Sequence, residues 1–305
     1  MHILITGGTG FIGRRLVRTL LRDNHRVSVL SRKPASDVRR LLSSKVRPLS
    51  SISAINPSVA LDAVINLAGE PIVESRWNQQ HKRKLLDSRV GLTNELVDFL
   101  ESMENRPKVL ISGSSVDYYG HHDISEPQCE SSGAGSGFSA SLCKRWEQAA
   151  RRAENLGIRT CIVRTGIVIH QNNGTLRGRL PVFYLGLGGP IGSGKQMMSW
   201  IHTDDMTRVL TFLLYNEALQ GVFNATAPNP VNNKAFARAL GAALKRPAIL
   251  PVPAIVIKML FGESGNTMLN GQAAIPKRLQ EAGFIWEQPE LKAALNQLFI
   301  KPSYF

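Results

Sequence analysis

The sequence predicts an α/β fold with a doubly wound parallel sheet and a small, mainly helical C-terminal domain on the substrate side. Short apolar, β-branched runs alternate with helical patterns, and a glycine-rich turn joins the first run to the first helix. From Gly174 onward, Pro-interrupted segments and shorter helices replace this alternation. We assign residues 1–170 to the main domain, which 200–226 rejoin, and residues 171–199 and 227–305 to the C-terminal domain.

The first predicted strand, His2–Thr6, runs directly into the glycine-rich string TGGTGFIG. This string satisfies both GxxGxxG and GxGxxG, and a helical pattern of apolar residues follows it. Glycines without a Cβ let the backbone approach a pyrophosphate, and the helix N-terminus offers unpaired N–H groups. Strand, turn and helix in this order predict a Rossmann-type dinucleotide site. The predicted contacts are Gly7, Gly10, Phe11, Ile12 and Gly13.

The second strand, predicted at 27–30, ends in Ser31, Arg32 and Lys33. An NAD site usually places an acidic residue there to hold the ribose hydroxyls, whereas an arginine can clamp a 2′-phosphate. We therefore predict NADP(H) as the cofactor, with Arg32 as the main contact and Ser31 and Lys33 assisting. The alternative is that Arg32 and Lys33 are solvated loop charges.

Further strands and helices alternate along the chain. The predicted strands are 63–67, 109–112 and 159–163, and the predicted helices are 79–103 and 140–156. Because ligands of such sheets lie at the carboxyl ends of the strands, we expect Leu67, Ala68 and Gly69 to contact the cofactor.

The net charge of +14 raises the question of a nucleic-acid partner, and the first fifty residues alone contribute +9. Arg14, Arg18 and Arg22 share one face of the first helix. Such a stripe is usually solvated, and no nucleic-acid-binding motif accompanies it. We predict a small-molecule substrate and no specific nucleic-acid partner.

No apolar run is long enough to cross a membrane, and no signal peptide is visible at the N-terminus. The cysteines Cys129, Cys143 and Cys161 are scattered and lack metal-ligand spacing. These features predict a cytoplasmic protein with reduced thiols, no membrane partner and no metal site.

Five motifs follow one another as TGGTGFIG, VINLAGE, SGSSVDYYG, VRTGIV and SWIHTDD. In this order they resemble the extended short-chain dehydrogenase/reductases. The strings RW at 76–77, LGLGGPIGSG at 185–194, FNATAPNPVNN and GQAAIPKRLQEAGF resemble one atypical subgroup, the YfcH-like epimerase family proteins with a C-terminal domain of unknown function. The resemblance implies an NADP(H)-binding protein and raises a homodimer as the family expectation.

The resemblance also implies a catalytic Tyr, a Lys four residues later and an earlier Ser. Ser115 falls on the Ser position, but alignment on Glu147 places Ser139 at the Tyr position and Cys143 at the Lys position. Lys144 lies about 100° around the helix from Cys143 and cannot simply replace the missing Lys. The usual proton relay is therefore absent.

Several residues are candidates for the remaining chemistry. We predict Ser115 and Tyr118 as catalytic, although a turn-capping Ser and a packed aromatic are the alternatives. Cys143 is expected to be a small buried residue, and His202 to orient a loop or cap the following helix. By resemblance Arg164 faces the cofactor or substrate; its alternative is a structural ion pair.

Residues 189–196 nearly match a phosphate-binding GxxxxGK[ST] loop, but Gln196 lacks the hydroxyl that would bind Mg²⁺. We interpret this segment as a flexible flap over the active cleft, and a phosphate role for Lys195 as the lesser alternative.

Two functions fit these observations. The first is an NADP(H)-dependent oxidoreductase or epimerase-like protein that acts on an unidentified small substrate. The second is a non-catalytic NADP(H)-binding redox sensor or interaction protein, since the fold alone does not establish catalysis.

Overall fold

The computed structural model describes residues 1–72, 76–120, 126–171 and 174–300. In this part of the chain a seven-stranded parallel sheet is covered by helices on both faces, which confirms the predicted doubly wound α/β fold. The strands are β1 (His2–Thr6), β2 (Arg26–Leu30), β3 (Arg47–Leu49), β4 (Ala63–Asn66), β5 (Val109–Ser115), β6 (Arg159–Thr165), β7 (Ile167–His170), β8 (Met197–Met198), β9 (Trp200–His202), β10 (Gly221–Ala225) and β11 (Val231–Asn232). The helices are α1 (Phe11–Arg22), α2 (Ala35–Leu41), α3 (Gln79–Leu86), α4 (Leu92–Ser102), α5 (Phe138–Arg151), α6 (Gly174–Tyr184), α7 (Thr203–Tyr215), α8 (Asn233–Leu244), α9 (Ala254–Phe261), α10 (Asn266–Leu269), α11 (Lys277–Glu281) and α12 (Leu291–Ile300).

The central sheet has the strand order β3-β2-β1-β4-β5-β6-β10, and each neighbouring pair is parallel. The two short pairs, β7 with β9 and β8 with β11, lie outside it. Because the strand order reverses direction beside β1, the carboxyl ends of β1 and β4 flank the crevice where ligands bind in such sheets.

Alternate residues of β1 pack on opposite faces of the sheet. Ile3 and Ile5 pack in a core that includes Leu16 of α1, whereas Leu4 packs in a second core that includes Leu96 of α4. A strand buried on both faces reads as a continuous apolar run, which is why β1 is recognisable from sequence. Each fully buried aliphatic side chain of this kind contributes about 1.5–3 kcal/mol to folding.

The predicted helix 79–103 is interrupted. Its α3 and α4 portions are joined by a π-helical turn at Asp87–Gly91. The extra residue of this turn rotates the helix and places Arg89 in the interior, where its exposed fraction is only 8%. The sequence analysis does not predict strand β3 or helix α2. Strand β3 has only three residues, and one of them is a proline, which is tolerated because β3 lies at the edge of the sheet.

Later segments contribute both to the main sheet and to a separate core. Strand β10 pairs with β6, and α7 packs near α1. Another apolar cluster, separate from the two cores on the faces of the sheet, forms around α6, α8 and α12 and contains Trp200, Phe236 and Leu295. The predicted division into two domains at 171–199 and 227–305 stays a prediction. Among the residues described, no helix is long and apolar enough to cross a bilayer.

His202 begins helix α7 as its N-cap, which confirms one of the roles predicted for it. Its Nδ1 accepts a hydrogen bond from the backbone N–H of Asp204 at 3.2 Å. Burial lowers the pKa of His202 to about 4, and the nearby positive charges of Arg15 and His170 act in the same direction, against Asp205. The imidazole is therefore neutral in the native state at neutral pH.

This burial predicts a loss of stability in acid. The unfolded chain protonates His202 near its ordinary pKa of 6.5, whereas the folded chain protonates it only near 4. Stability is complete above the unfolded value and falls as the pH drops between the two, by up to about 3 kcal/mol. His202→Asn keeps a side-chain acceptor for the helix cap but does not titrate. Its free energy of unfolding, measured in urea titrations, should therefore fall less than that of the wild type between pH 7 and about pH 4. Identical losses in the two proteins would contradict the assignment.

Candidate active site

The glycine-rich turn is packed so closely that side chains are excluded from it. Gly7 has a φ of +68°, and a Cβ there would lie 2.5 Å from the carbonyl oxygen of Leu67. A Cβ on Gly13 would lie 2.3 Å from the carbonyl oxygen of Gly7. The start of α1, the turn and the end of β4 therefore meet at backbone distance, which explains why glycine recurs every third residue.

The N-terminus of α1 is open to an anion. Gly10 is its N-cap and supplies no side-chain bond to the first turn, which contains Phe11, Ile12 and Gly13 and no acidic residue. The unpaired N–H groups and the positive end of the helix dipole at this position favour a negatively charged ligand. The turn has the shape and the polarity that a pyrophosphate requires.

At the end of β2, Ser31 and Arg32 differ in how tightly they are held. The Ser31 Oγ accepts a hydrogen bond from the backbone N–H of Lys33 at 3.2 Å and lies 3.4 Å from the Oγ1 of Thr9 in the glycine turn. The Arg32 side chain is 90% exposed, and its contact with Glu70 is 3.4 Å long. Arg32 is thus not committed to a structural ion pair and can reorient toward a ligand.

A hydrogen-bond network fixes the end of β4 against β1. The Thr6 hydroxyl donates to Asn66 Oδ1 at 2.6 Å and accepts from the backbone N–H of Ala68 at 3.2 Å. The Asn66 amide donates to the hydroxyl of Thr93 in α4 at 2.8 Å. This network positions Leu67, Ala68 and the following Gly69 beside the glycine turn, so the structure brings these predicted residues together.

Arg89 is a candidate that the sequence prediction missed. Its Nη2 donates to the carbonyl oxygen of Glu70 at 2.8 Å, and its guanidinium lies 5.4 Å from the ring centroid of Trp146. A Cβ on Gly69 would come within 2.9 Å of the Arg89 Cζ, so the guanidinium passes directly over this glycine. The available signal was a charged residue four positions after the buried Leu85, on the apolar face of a predicted helix.

The two predicted catalytic residues lie at the end of β5. The Ser115 hydroxyl accepts a hydrogen bond from the backbone N–H of Asp117 at 3.2 Å and caps the short 3₁₀ turn Val116–Tyr119. The Tyr118 ring packs edge to face against the Tyr119 ring, and the Arg164 Cζ lies 3.4 Å from the centroid of the Tyr118 ring. Ser115 thus caps a turn and Tyr118 packs as an aromatic ring, which are the structural alternatives to the predicted catalytic roles.

Arg164 forms a buried, two-pronged ion pair with Glu147. The distances are 2.8 Å from Nε to Oε1 and 2.9 Å from Nη2 to Oε2, while Nη1 donates to the Tyr119 hydroxyl at 3.0 Å. Only 3% of the Arg164 side chain is exposed. Of the two roles left open for Arg164, this geometry favours the structural ion pair. Burial raises the pKa of Tyr119 to about 12, so its hydroxyl stays protonated.

Helix α5 carries Cys143 where the resemblance expects a lysine. Cys143 is buried against the backbone of Ser115, and burial raises the pKa of its thiol, while the charge of Arg89 acts in the opposite direction. Lys144 is exposed on another face of α5, as the helical spacing predicts. Cys143 is thus a small buried residue, and a cation from another helix, Arg89, lies close to it.

A segment after β4 links the sheet to the C-terminal helices beside this cluster. Arg76 donates to backbone carbonyls at the end of α9, and Lys82 forms an ion pair with Glu263 at 2.7 Å. The Trp77 ring packs edge to face on Phe138 at the start of α5, with centroids 5.1 Å apart. These contacts join the segment that precedes α3 both to α5 and to the C-terminal helices.

Residues 189–196 differ from the flexible flap that the sequence predicts. The backbone N–H of Gly192 donates to the carbonyl of Val252 at 2.8 Å, and the Val252 N–H donates back to this segment at 2.8 Å. The Gln196 amide donates to the carbonyl of Ile191 at 3.0 Å. The segment is held by the chain near residue 252, which is too distant in sequence for the local pattern to reveal.

Comparisons with known proteins agree with this architecture. The chain is 36% identical over 301 residues to the human "Epimerase family protein SDR39U1", an alignment that covers 98% of this chain and 99% of the relative. It is 34% identical over 299 residues to the "Epimerase family protein YfhF" of Bacillus subtilis, which covers 98% of both. The crystal structure of human SDR39U1 (isoform2) with NADPH superposes with a TM-score of 0.90 at 35% identity and covers 99% of this chain and all of that one.

Two family models match successive parts of the sequence. Residues 252–298 match a domain of unknown function, DUF1731. Residues 3–225 match the model of the NAD dependent epimerase/dehydratase family, and the glycine turn, the ends of β4 and β5 and helix α5 all lie within that match. The chain therefore belongs to the NAD dependent epimerase/dehydratase family.

Proposed function

We propose that this protein binds NADP(H) across the carboxyl ends of β2, β1 and β4 and acts as an oxidoreductase or epimerase-like enzyme on a small substrate. One observation carries the proposal: the turn at Gly7 and Gly13 is packed so closely that an added Cβ would collide with the backbone of the turn and of the end of β4, and Arg32 is exposed at the end of the adjoining β2. The NADPH bound to human SDR39U1, which shares 35% of its sequence with this chain, supports the same cofactor.

The cofactor would lie across the strands in a defined order. Arg32, with Ser31 and Lys33, would hold the 2′-phosphate at the end of β2. The first turn of α1, from Gly10 to Gly13, would hold the pyrophosphate. The residues Leu67, Ala68 and Gly69 would line the cofactor where β4 ends.

Arg89 would supply a second positive charge on the other side of the pyrophosphate turn. Its guanidinium passes over Gly69 and is buried, so its charge is only partly screened by water. Burial lowers the pKa of Arg89, but the group remains a cation, because an arginine in protein is always protonated near neutral pH. A cofactor phosphate would offset the cost of burying this charge.

The nicotinamide would supply the hydride, so the protein needs only to orient the substrate and stabilise the developing charge. We propose that Ser115 and Tyr118 donate hydrogen bonds to the reacting oxygen at the end of β5. The C-terminal helices joined through Arg76 and Lys82 would cover the substrate side. With Cys143 in place of the lysine, Tyr118 or water would move the proton.

The alternative function is a non-catalytic NADP(H)-binding sensor or interaction protein. The structural contacts of Ser115 and Tyr118 favour it, because each side chain already contributes to the packing of the strand end. The same cofactor site would serve both functions, and measurements of binding and of turnover separate them.

Arg32 should determine the choice between cofactors. The wild-type protein is expected to bind NADPH about tenfold or more tightly than NADH, a difference of about 1.4 kcal/mol. Arg32→Glu should remove this preference, because the carboxylate repels the 2′-phosphate. Isothermal titration calorimetry with both nucleotides measures the ratio, and Arg39→Glu, at an exposed position in α2, is the matched control. Equal affinities in the wild-type protein would refute the proposed role.

Arg89 should affect both cofactors alike. Arg89→Met is expected to weaken the binding of NADPH and of NADH by a similar factor of about ten, since a charge-assisted hydrogen bond contributes about 1.5–3 kcal/mol. Arg89→Lys should retain part of the affinity. Thermal melts of the same variants show whether they are folded. A folded Arg89→Met variant with unchanged affinity for both nucleotides would show that Arg89 is only structural.

Turnover distinguishes the two functions. NADPH consumption is measured with a panel of aldehydes, ketones and quinones. Where a substrate is found, Ser115→Ala should lower kcat by about 100-fold while NADPH affinity is retained, because the substitution removes one donor to the reacting oxygen. Undiminished activity in Ser115→Ala would argue against its catalytic role. Intact NADPH binding without consumption across the panel would favour the sensor.

A further inference from the structure

A cavity of about 390 Å³ lies at the amino ends of β1, β2 and β3, opposite the proposed cofactor site. The parallel register pairs His2 with Arg26, and Ser28 with Arg47, so these residues meet at this edge of the sheet. A second cavity of about 200 Å³ adjoins it and shares its lining at His2, Ser28 and Arg47. About five residues of β1 separate this edge from the glycine turn, which is about 15 Å.

Three cations line the larger cavity without a counter-ion. Arg26, Lys45 and Arg47 are exposed, and none of their side chains has an ion-pair or hydrogen-bond partner in the described part of the chain. Neither cavity is lined by a carboxylate. By contrast, Arg40 lies 2.6 Å from its carboxylate partner Asp37. Three of the eleven basic residues among the first fifty thus share one concave site.

The nearest carboxylates do not neutralise these cations. Asp62 accepts a hydrogen bond from the backbone N–H of His2 at 2.6 Å, and Asp23 lies 3.8 Å from Arg22. Neither residue lines either cavity. Because like charges that share a concave site repel one another, the three cations destabilise the fold, and an anion would relieve the repulsion.

His2 and Ser28 form a neutral, hydrogen-bonded floor to the cavity. The His2 Nε2 lies 2.9 Å from the Ser28 Oγ, and its Nδ1 lies 3.0 Å from the carbonyl oxygen of Ala60. Burial lowers the pKa of His2, and the charges of Arg26 and Arg47 lower it further. The fields of both arginines therefore converge on the cavity floor.

We propose that this cavity is a second ligand site, which binds a small molecule carrying phosphate groups. Its volume lies within the range of small-molecule pockets, about 300–1,000 Å³. Arginine and lysine side chains are the groups that most often hold phosphate, and three of them surround this space. A concave site of this size fits a compact anion better than the extended backbone of a nucleic acid, which needs a groove or a stripe of charge.

The site is independent of the proposed cofactor function, because it lies at the opposite edge of the sheet. Inorganic pyrophosphate is a suitable probe, titrated calorimetrically at constant ionic strength into four proteins. These are the wild type, Arg26→Gln/Arg47→Gln, the matched control Arg39→Gln/Arg238→Gln, and Arg32→Glu. The control removes two charges from exposed positions that line neither cavity.

The wild type, the control and Arg32→Glu are expected to bind pyrophosphate at this site, and Arg26→Gln/Arg47→Gln should bind at least tenfold more weakly. Pyrophosphate should raise the Tm of the wild type but not of that double variant. Without ligand, the double variant should melt at or above the wild-type Tm, because it lacks the repulsion.

Three results would overturn the proposal. The first is equal pyrophosphate affinity in the wild type and in Arg26→Gln/Arg47→Gln, including no binding to either. The second is loss of binding in Arg32→Glu alone, which would place the anion beside Arg32 at the end of β2, within the proposed cofactor site. The third is a double variant that melts below the wild type without ligand, which would show that the arginines support the fold.

Discussion

The buried ion pair between Glu147 and Arg164 is the interaction on which the arrangement of the site depends. It joins α5 to β6, and the Ser114 hydroxyl donates to Glu147 Oε1 at 2.7 Å, so β5 is held by the same carboxylate. The Tyr119 hydroxyl donates to Asn224 in β10 at 2.7 Å and extends the network across the sheet. Removing one member of such a pair leaves an uncompensated buried charge, which costs about 3–5 kcal/mol.

This network also separates structural from functional side chains at the end of β5. Ser114 and Tyr119 point into the interior and satisfy the ion pair, whereas their neighbours Ser115 and Tyr118 are only partly buried. Successive residues of a strand face opposite sides, so anchoring Ser114 on one face of the sheet leaves Ser115 on the other. A charged core thereby sets the orientation of the groups that would contact a substrate.

The sequence predicts those parts of the molecule that depend on local pattern. The glycine turn and β1 follow from residues within one short stretch, and both are correct. Arg89 is missed because a π-helical turn inside a long amphipathic pattern moves it into the interior, and periodicity alone does not show such a turn. The ion pair of Arg164 was only one of two alternatives, because its partner Glu147 lies on a separate helix and is identified by tertiary contact. The hydrogen bonds that hold residues 189–196 are likewise formed with a segment far along the chain.

The position of Cys143 has an evolutionary consequence. A lysine at this place in α5 would have to enter a buried space that is already close to the guanidinium of Arg89, and two desolvated cations would then repel each other. A single substitution that restores the lysine would therefore destabilise the fold, unless Arg89 had first been replaced. The two residues are therefore coupled in the order in which they can change, and Arg89 has to change before position 143 can carry a lysine.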